Sequence, residues 1–359
     1  MEFGRGVEYP GGMYVKRLLK LGAICAVAIG VTSCGGTFST PPDLLESKIA
    51  HTNKLYSQAA GRSKHGSYAS SRSRPKTARD SGHKEALLFV KNTNFRFFKN
   101  IGFYIPEMVV SLRANDPSQP VVFDDPQSFG IYPMRGKAVL SGAVLTELMN
   151  THVFNFEGAP LRNITVKTAP GRLIFIGQMN RRGQWVPFVM KGPVLLEKGH
   201  MLVFAPDDVM VDNKNAGPIL VAANVNLDEL LTVKAPGVDL IGSKVYLDAL
   251  KLFPPPKLGF TIKQSKLSDD GLELTFTHPK SPKHPLPIVN RDSYMMVRGG
   301  DVKFLNAMAV QSLVQIMNKD PGQALDFSLY DYRDQLTGGY LKFRDNGAVL
   351  AYLKNYEGQ

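Results

Sequence analysis

From about Glu85 onward, short apolar runs alternate with Gly, Pro and Asn, a pattern typical of strands broken by turns. Turn-forming pairs join several of the runs, as expected of consecutive antiparallel hairpins: Arg182-Gly183, Lys198-Gly199 and Asp270-Gly271. The runs that predict strands cover residues 86–90, 107–113, 163–167, 172–179, 185–190, 200–204, 260–264, 272–277 and 294–298.

Helical patterning is rarer. Ser141 can cap a helix over residues 142–153, Asn226 a turn through Leu231, and Ser243 a helix over 244–253. Residues 302–318 suit either a helix or a pair of strands, and residues 327–343 predict a helix and an edge strand. Strands outnumber helices and βαβ alternation is absent, so the predicted class is α+β, dominated by an antiparallel sheet.

Two of the predicted strands, 172–179 and 185–190, are apolar at successive positions and therefore on both faces. A half-exposed sheet should alternate apolar with polar residues, so we expect both faces to be covered. Two interpretations remain open: plain burial under other elements, or a lined apolar cavity with adaptable methionines. The candidate groove residues are Phe175, Trp185, Phe188, Met190, Met201 and Phe204.

The order of strands and turns carries a family resemblance. Residues 163–212 read NITVKTAPGRLIFIGQMNRRGQWVPFVMKGPVLLEKGHMLVFAPDDVMVD, and residues 257–277 read KLGFTIKQSKLSDDGLELTFT. This succession resembles the LmeA-like phospholipid-binding family, which is similar to the tubular lipid-binding (TULIP) superfamily. The resemblance covers roughly residues 160–278, a third of the chain. Its motifs are hydrophobic spacing and turn glycines.

The resemblance implies a TULIP-like fold, in which a long, curved antiparallel β-sheet wraps around one or more helices. An apolar groove between sheet and helix would hold the acyl chains of a phospholipid or another hydrophobic ligand. The headgroup would stay near the mouth of the groove. Binding would be driven by apolar burial, which contributes about 25 cal/mol per Å².

The net charge of +12 is unevenly distributed. Residues 1–34 carry a net +2, residues 35–84 a net +6, and residues 85–359 only +4 from thirty basic and twenty-six acidic side chains. The positive and negative charges of residues 85–359, the part expected to fold, therefore nearly cancel, and a nucleic-acid partner is not expected.

The N-terminus has the order of a secretory signal. Residues 1–12 look like a non-native extension before a start at Met13, and residues 13–33 are the predicted signal peptide. Its apolar run, residues 21–31, would cover about 16 Å as a helix, well short of the ~30 Å core of a bilayer. Positive charge before this run comes from Lys16, Arg17 and Lys20.

The run ends in Val31-Thr32-Ser33-Cys34, which resembles the bacterial lipobox. In lipoproteins this cysteine is acylated and becomes the mature N-terminus, and two or three acyl chains anchor stably where one is marginal. Gly35 in place of an aspartate permits sorting to an outer membrane. We therefore expect an exported protein, lipid-anchored at Cys34 on the periplasmic side of that membrane. An ordinary signal peptide is the alternative.

Residues 34–84 are rich in Ser, Arg, Lys and Gly and predict a disordered basic tether. Its basic run, Arg72 to Arg79, could contact anionic lipid headgroups or act as a solvated spacer. Residues 85–359 are predicted to form a single β-rich lipid-binding-like domain.

Motifs for catalysis, nucleotide binding or metal binding are absent from the sequence: GxSxG, HExxH, GxGxxG, a Walker loop and CxxC. Cys25 and Cys34 are the two cysteines, and the histidines are scattered. We expect neither an enzyme nor a cofactor. The expected function is membrane-tethered lipid binding, for envelope lipid transport or sensing. A structural or interaction module of the envelope, with an unknown protein partner, is the alternative.

Replacing Cys34 with alanine should release the protein from membranes, because no thiol remains to carry the lipid. Cys25→Ala is the matched control, since Ile24 is too bulky for the residue before a lipobox cysteine. The measurement is the fraction that pellets with membranes. A Cys34→Ala protein that pellets as fully as Cys25→Ala would disprove the anchor.

Overall fold

The computed structural model describes residues 85–217, 226–229, 231, 233–304 and 307–357. The predicted signal peptide, Cys34 and the tether lie outside the described residues. The described chain is mostly β-sheet with few helices, so the predicted sheet-rich class is confirmed.

The strands are, in chain order, β1 (Glu85–Phe98), β2 (Ile101–Ala114), β3 (Val121–Val122), β4 (Phe129–Leu140), β5 (Leu161–Ala169), β6 (Arg172–Arg181), β7 (Gln184–Gly192), β8 (Val194–Glu197), β9 (Met201–Phe204), β10 (Asp208–Val211), β11 (Lys214–Asn215), β12 (Val238–Ile241), β13 (Lys244–Asp248), β14 (Lys257–Leu258), β15 (Ile262–Ser268), β16 (Gly271–Thr277), β17 (Tyr294–Arg298), β18 (Val302–Phe304), β19 (Ala307–Ala309), β20 (Leu313–Asn318), β21 (Asp326–Ser328), β22 (Tyr340–Phe343) and β23 (Val349–Leu353).

Two α-helices are described, α1 (Gly142–Leu148) and α2 (Tyr332–Thr337). A π-helical turn, Met149–Val153, continues α1, and a 3₁₀ turn covers Leu227–Glu229. The Ser141 hydroxyl accepts a hydrogen bond from the Val144 N–H at 3.3 Å, so the predicted cap is confirmed.

The strands form four sheets. The large sheet has eleven strands in the order β15-β16-β4-β2-β1-β17-β20-β23-β22, with β14 beside β4 and β21 beside β1. The others are a five-stranded sheet (β11-β10-β7-β6-β5), a four-stranded sheet (β12-β13-β9-β8) and a three-stranded sheet (β19-β18-β3). Pairing is mostly antiparallel, with parallel pairs at β1–β21, β4–β14, β20–β23 and β3–β18.

A long bent hairpin arm joins the five-stranded sheet to the four-stranded sheet. On one side β7 passes into β8 across Pro193, and on the other β9 passes into β10 across Pro206. Hydrogen bonds continue through the bend, where the Ala205 N–H donates to the Pro193 carbonyl at 3.1 Å. Gly192 permits this close approach, because a Cβ there would lie 2.2 Å from the Ala205 carbonyl oxygen.

The buried side chains form two clusters on opposite faces of the large sheet. The larger cluster lies between this sheet, the five- and four-stranded sheets and α1. The smaller includes Phe89, Tyr294 and Met317, with Ile288 and Val289 packed against it. The Gln315 side chain fixes the latter segment, since it accepts from the Val289 N–H and donates to the Val289 carbonyl, both at 2.8 Å.

Most of the predicted elements are confirmed. Arg182 and Gly183, with φ of 51° and 87°, form the predicted turn between β6 and β7. The described part of residues 302–318 forms strands, and residues 327–343 contain α2 followed by β22 at one edge of the large sheet.

The predicted helix over residues 244–253 is wrong, because β13 occupies its first half and pairs with both β12 and β9. The Ser243 hydroxyl that suggested a cap accepts a hydrogen bond from the Leu227 N–H at 3.4 Å instead. Tertiary pairing of β13 therefore overrides the local capping pattern.

Gly192→Ala should destabilise the protein by about 2 kcal/mol, because the added methyl collides with backbone in the bend of the hairpin arm. Gly322→Ala is the matched control, since its added methyl meets no atom within 4 Å and its φ is not in the left-handed region. Urea unfolding of both variants measures the difference. Equal stability would show that the bend has no such tight packing.

Candidate functional site

An apolar cavity lies between the large sheet, the two sheets of the hairpin arm and α1. All 29 residues that line it are apolar. The large sheet contributes most of them, through β1, β2, β4 and β16. Val166, Leu173 and Phe175 line it from the five-stranded sheet, and Leu202 and Leu247 from the four-stranded one. The walls therefore come from segments far apart in sequence.

The cavity is small, with a free volume of about 70 Å³ while the side chains stand as they do. An apolar cavity that offers water no hydrogen bonds stays dry, so hydrocarbon is the chemistry that matches these walls.

The two longest strands change face in the middle, which brings aromatic residues into the cavity. In β1 the lining residues are Leu88 and Val90 before Asn92, and Phe95 and Phe97 after it. Asn92 has a φ of 44°, which breaks the regular alternation of strand side chains. In β2 the residues that face the cavity also change, from the odd-numbered Phe103 and Ile105 to the even-numbered Met108 and Val110.

Three phenylalanines form an aromatic cluster within the wall of the cavity. The ring centroid of Phe103 lies 5.6 Å from that of Phe97 and 5.0 Å from that of Phe253. Phe97 and Phe253 are 5.8 Å apart. Spacings of this size suit edge-to-face and tilted ring contacts. Phe97 is fully buried, whereas Phe103 and Phe253 are half-buried.

The helix α1 forms a wall and is fixed to the edge strand β5 by side chains. Leu145, Leu148 and the following Met149 line the cavity. The Val166 N–H donates to the Thr146 hydroxyl at 2.8 Å. The Asn150 amide accepts from the Ile164 N–H at 2.9 Å and donates to the Ile164 carbonyl at 2.6 Å. These bonds satisfy an edge that has no partner strand in its sheet.

Of the six candidate groove residues, Phe175 lines the cavity. The Phe204 ring packs against the Phe175 ring, with centroids 4.9 Å apart. Phe188 and Met190 are buried in the larger hydrophobic cluster. Trp185 and Met201 are half-buried and lie outside the lining. The Arg162 guanidinium stacks over the Trp185 ring at 4.0 Å.

The two apolar faces of β6 and β7 have different surroundings. Leu173 and Phe175 face inward and are buried, whereas Ile174 and Ile176 on the opposite face are half-buried. The inner face is therefore fully covered and the outer face only partly.

Among the polar side chains that could suggest chemistry, Asp207 and Asp208 have ion-pair partners, whereas the buried Nε2 of His152 has no hydrogen-bond partner among the described residues. Asp207 pairs with Arg172, and the Lys191 amine lies 3.0 Å from an Asp208 oxygen. Burial lowers the pKa of His152, in the π-helical turn after α1. Within the described residues there is neither a cluster of His, Cys, Asp and Glu fit for a metal ion nor a helix long and apolar enough to cross a membrane.

The sequence prediction missed the lining residues of β1 after Val90 and of β2 before Glu107. The alternation of Phe95 with Phe97 and of Phe103 with Ile105, around a turn at Lys99-Asn100, was a usable hairpin pattern.

No family model, curated protein or solved structure matches this chain. The LmeA-like resemblance therefore rests on the sequence pattern alone.

Asn150→Ala should lower the free energy of unfolding by about 1–3 kcal/mol, because it leaves the N–H and carbonyl of Ile164 without these partners. Asn155→Ala is the control, since its exposed amide bonds one carbonyl, that of Thr151 at 3.2 Å. Urea unfolding gives both values. If the two variants were equally stable, the side-chain bonds would not be what fixes α1 to β5.

Proposed function

We propose that this protein is an exported lipoprotein, anchored through lipid on Cys34, that binds a phospholipid or another hydrophobic ligand for envelope lipid transport or sensing. The observation that carries the proposal is the wholly apolar lining of the cavity. Binding without catalysis belongs to the same proposal, and the apolar chemistry of this lining supports it.

In the proposal, a hydrocarbon ligand fills this space. Protein interiors are packed like organic crystals, and voids larger than a water molecule are few. An empty apolar cavity is destabilising, because its lining atoms lose dispersion contacts. A hydrocarbon chain restores these contacts and removes its own surface from water, at about 25 cal/mol per Å². A bound hydrocarbon chain needs more room than the free volume of the cavity, and the proposal assigns the widening to rotation of flexible lining side chains such as Met108 and Met149.

The TULIP-like arrangement, a long curved sheet around a helix, belongs to the same proposal. Two features support it: the bend of the hairpin arm at Gly192 and Pro193, and the placement of α1 side chains in the cavity. In this arrangement the acyl chain lies between the large sheet and α1.

A non-catalytic structural or interaction module of the envelope is the second candidate. It is favoured by the half-buried apolar face of Ile174 and Ile176, which could receive a protein partner. In that case the cavity would be part of an ordinary core.

Ala138→Phe should abolish lipid binding, because Ala138 is a small, buried lining residue of β4 and a phenyl ring there fills the space. Lys137→Phe is the matched control, since it places the same ring on the adjacent, exposed residue. The protein used is residues 35–359, which lack the lipidated Cys34, exported behind an ordinary signal peptide and purified without detergent. Native mass spectrometry with lipid extraction measures the bound lipid.

We expect lipid in the wild type and in Lys137→Phe, and at least tenfold less in Ala138→Phe. Thermal unfolding verifies that the variant is folded, and Ala138→Leu is the milder substitution should phenylalanine overpack the core. A wild type that carries no lipid and binds no lipid analogue contradicts the proposal. So does an Ala138→Phe protein that retains wild-type lipid.

A further inference from the structure

The outer face of the five-stranded sheet, which points away from the cavity, carries a continuous apolar patch. Residues directly opposite each other on paired strands share a face, so Ile176, Val189 and Met210 form one row across β6, β7 and β10. Steps of two residues along β6 and β7 add further apolar side chains to this face. The outer patch, as we call it, consists of Ile174, Ile176, Trp185, Pro187, Val189 and Met210.

The outer patch is not part of the hydrophobic core of the described residues. Pro187 is exposed and the other five side chains are half-buried. None of the six belongs to either buried cluster or to the apolar residues packed against them. Val186 gives the contrast, because it is also half-buried but packs against the larger cluster from the inner face. Apolar residues gathered on a surface in this way mark a site of contact with another molecule.

The charge around the outer patch has one sign. Residues 161–192, which form β5, β6, β7 and their turns, contain six basic side chains and no acidic one. The other residues of the range 85–359 carry twenty-four basic and twenty-six acidic side chains, a net charge of −2. The positive charge of the region is therefore concentrated in the sheet that carries the patch.

Four of these six cations are not matched by an acid. Arg172 and Lys191 form ion pairs with Asp207 and Asp208. The other four have no ion pair among the described residues and are all exposed. We call these four the basic rim: Arg162, Lys167, Arg181 and Arg182.

Trp185 and the basic rim come together at one end of the outer patch. The Arg162 guanidinium lies over the Trp185 ring at 4.0 Å, and its Nε–H donates to the Gln178 side-chain oxygen at 2.9 Å. The adjacent turn between β6 and β7 adds Arg181 and Arg182. Tryptophan is enriched where membranes meet water, and arginine forms strong hydrogen bonds with phosphate groups. These are the residue types of contact with an anionic lipid surface.

We infer that the outer patch and the basic rim form a surface that docks this region of the chain on an anionic membrane. The aliphatic row enters the boundary between headgroups and acyl chains, while the cations contact lipid phosphates. The same charges disfavour a second copy of the chain as the occupant, because a symmetric interface would bring two basic rims together. The inference goes beyond the proposed function, since it needs neither a ligand in the cavity nor lipid on Cys34.

Trp185 makes this surface directly observable, because it is the one tryptophan of the chain. Residues 35–359, which lack Cys34, are titrated with vesicles of phosphatidylcholine alone or mixed with phosphatidylglycerol. Trp185 emission is recorded with and without acrylamide, a water-soluble quencher. We expect binding to the anionic vesicles at least tenfold tighter than to the neutral ones, with a blue shift and protection from acrylamide. A lipid bound in the cavity would not protect Trp185, which lies on the opposite face.

The double variant Arg181→Gln, Arg182→Gln should weaken binding to the anionic vesicles by roughly tenfold or more, since each basic residue near an anionic surface contributes about fivefold. The matched control is Arg298→Gln, Arg344→Gln, which removes two exposed arginines in β17 and directly after β22. Its affinity should stay within twofold of the wild type.

Three results would overturn the inference. The first is binding that leaves Trp185 open to acrylamide, or that the control variant loses as fully as the Arg181 and Arg182 variant. The net +6 of residues 35–84 or the overall charge would then make the contact. The second is no binding to anionic vesicles, which leaves the face to a protein partner. The third is Trp185 emission that changes with protein concentration without vesicles, as a second copy would cause.

Failure of this inference is distinguishable from failure of the proposed function. Lipid in the cavity is measured on protein purified without vesicles, by native mass spectrometry and lipid extraction. A protein that carries lipid but does not dock keeps the proposed function and contradicts the docking surface. A protein that docks through Trp185 but carries no lipid does the reverse.

Discussion

The structure depends on keeping one apolar face of an eleven-stranded sheet away from water. The sheet supplies most of the cavity wall but cannot close it. Closure comes from the hairpin arm, which bends at Gly192 so that both smaller sheets reach the same space, and from α1. The arm is held by continuous backbone pairing, whereas α1 and the π-helical turn that follows it are fixed to β5 by Thr146 and Asn150, respectively.

Local patterns predicted much of the fold. The cap at Ser141 and the turn at Arg182-Gly183 act within a few residues, and both are as expected from the sequence. The helix proposed after Ser243 is wrong because its cap residue serves a distant N–H, that of Leu227. The order of the large sheet joins strands from both ends of the described chain, so no local pattern could have predicted it.

The candidate site was predicted less well than the fold. Continuous apolar strands pointed to Phe175, which lines the cavity, but the same argument selected Trp185, which lies under an arginine outside the cavity. The regular alternation of side chains along β1 is interrupted at Asn92. Phe95 and Phe97 therefore face the same cavity as Leu88, which the alternation alone could not predict. The half-buried outer face of β6 shows that an apolar residue on a strand need not face the core.

The central claim is that hydrocarbon occupies the space between the large sheet and α1. Photolabelling with a fatty acid that carries a diazirine along its chain, followed by mass mapping of the modified peptides, tests it most directly. We expect adducts on α1 and on the cavity-lining half of β1, near Leu145 and Phe97. Labelling confined to the outer face of β6, near Ile174 and Ile176, or labelling no greater than in the unfolded chain, would contradict it.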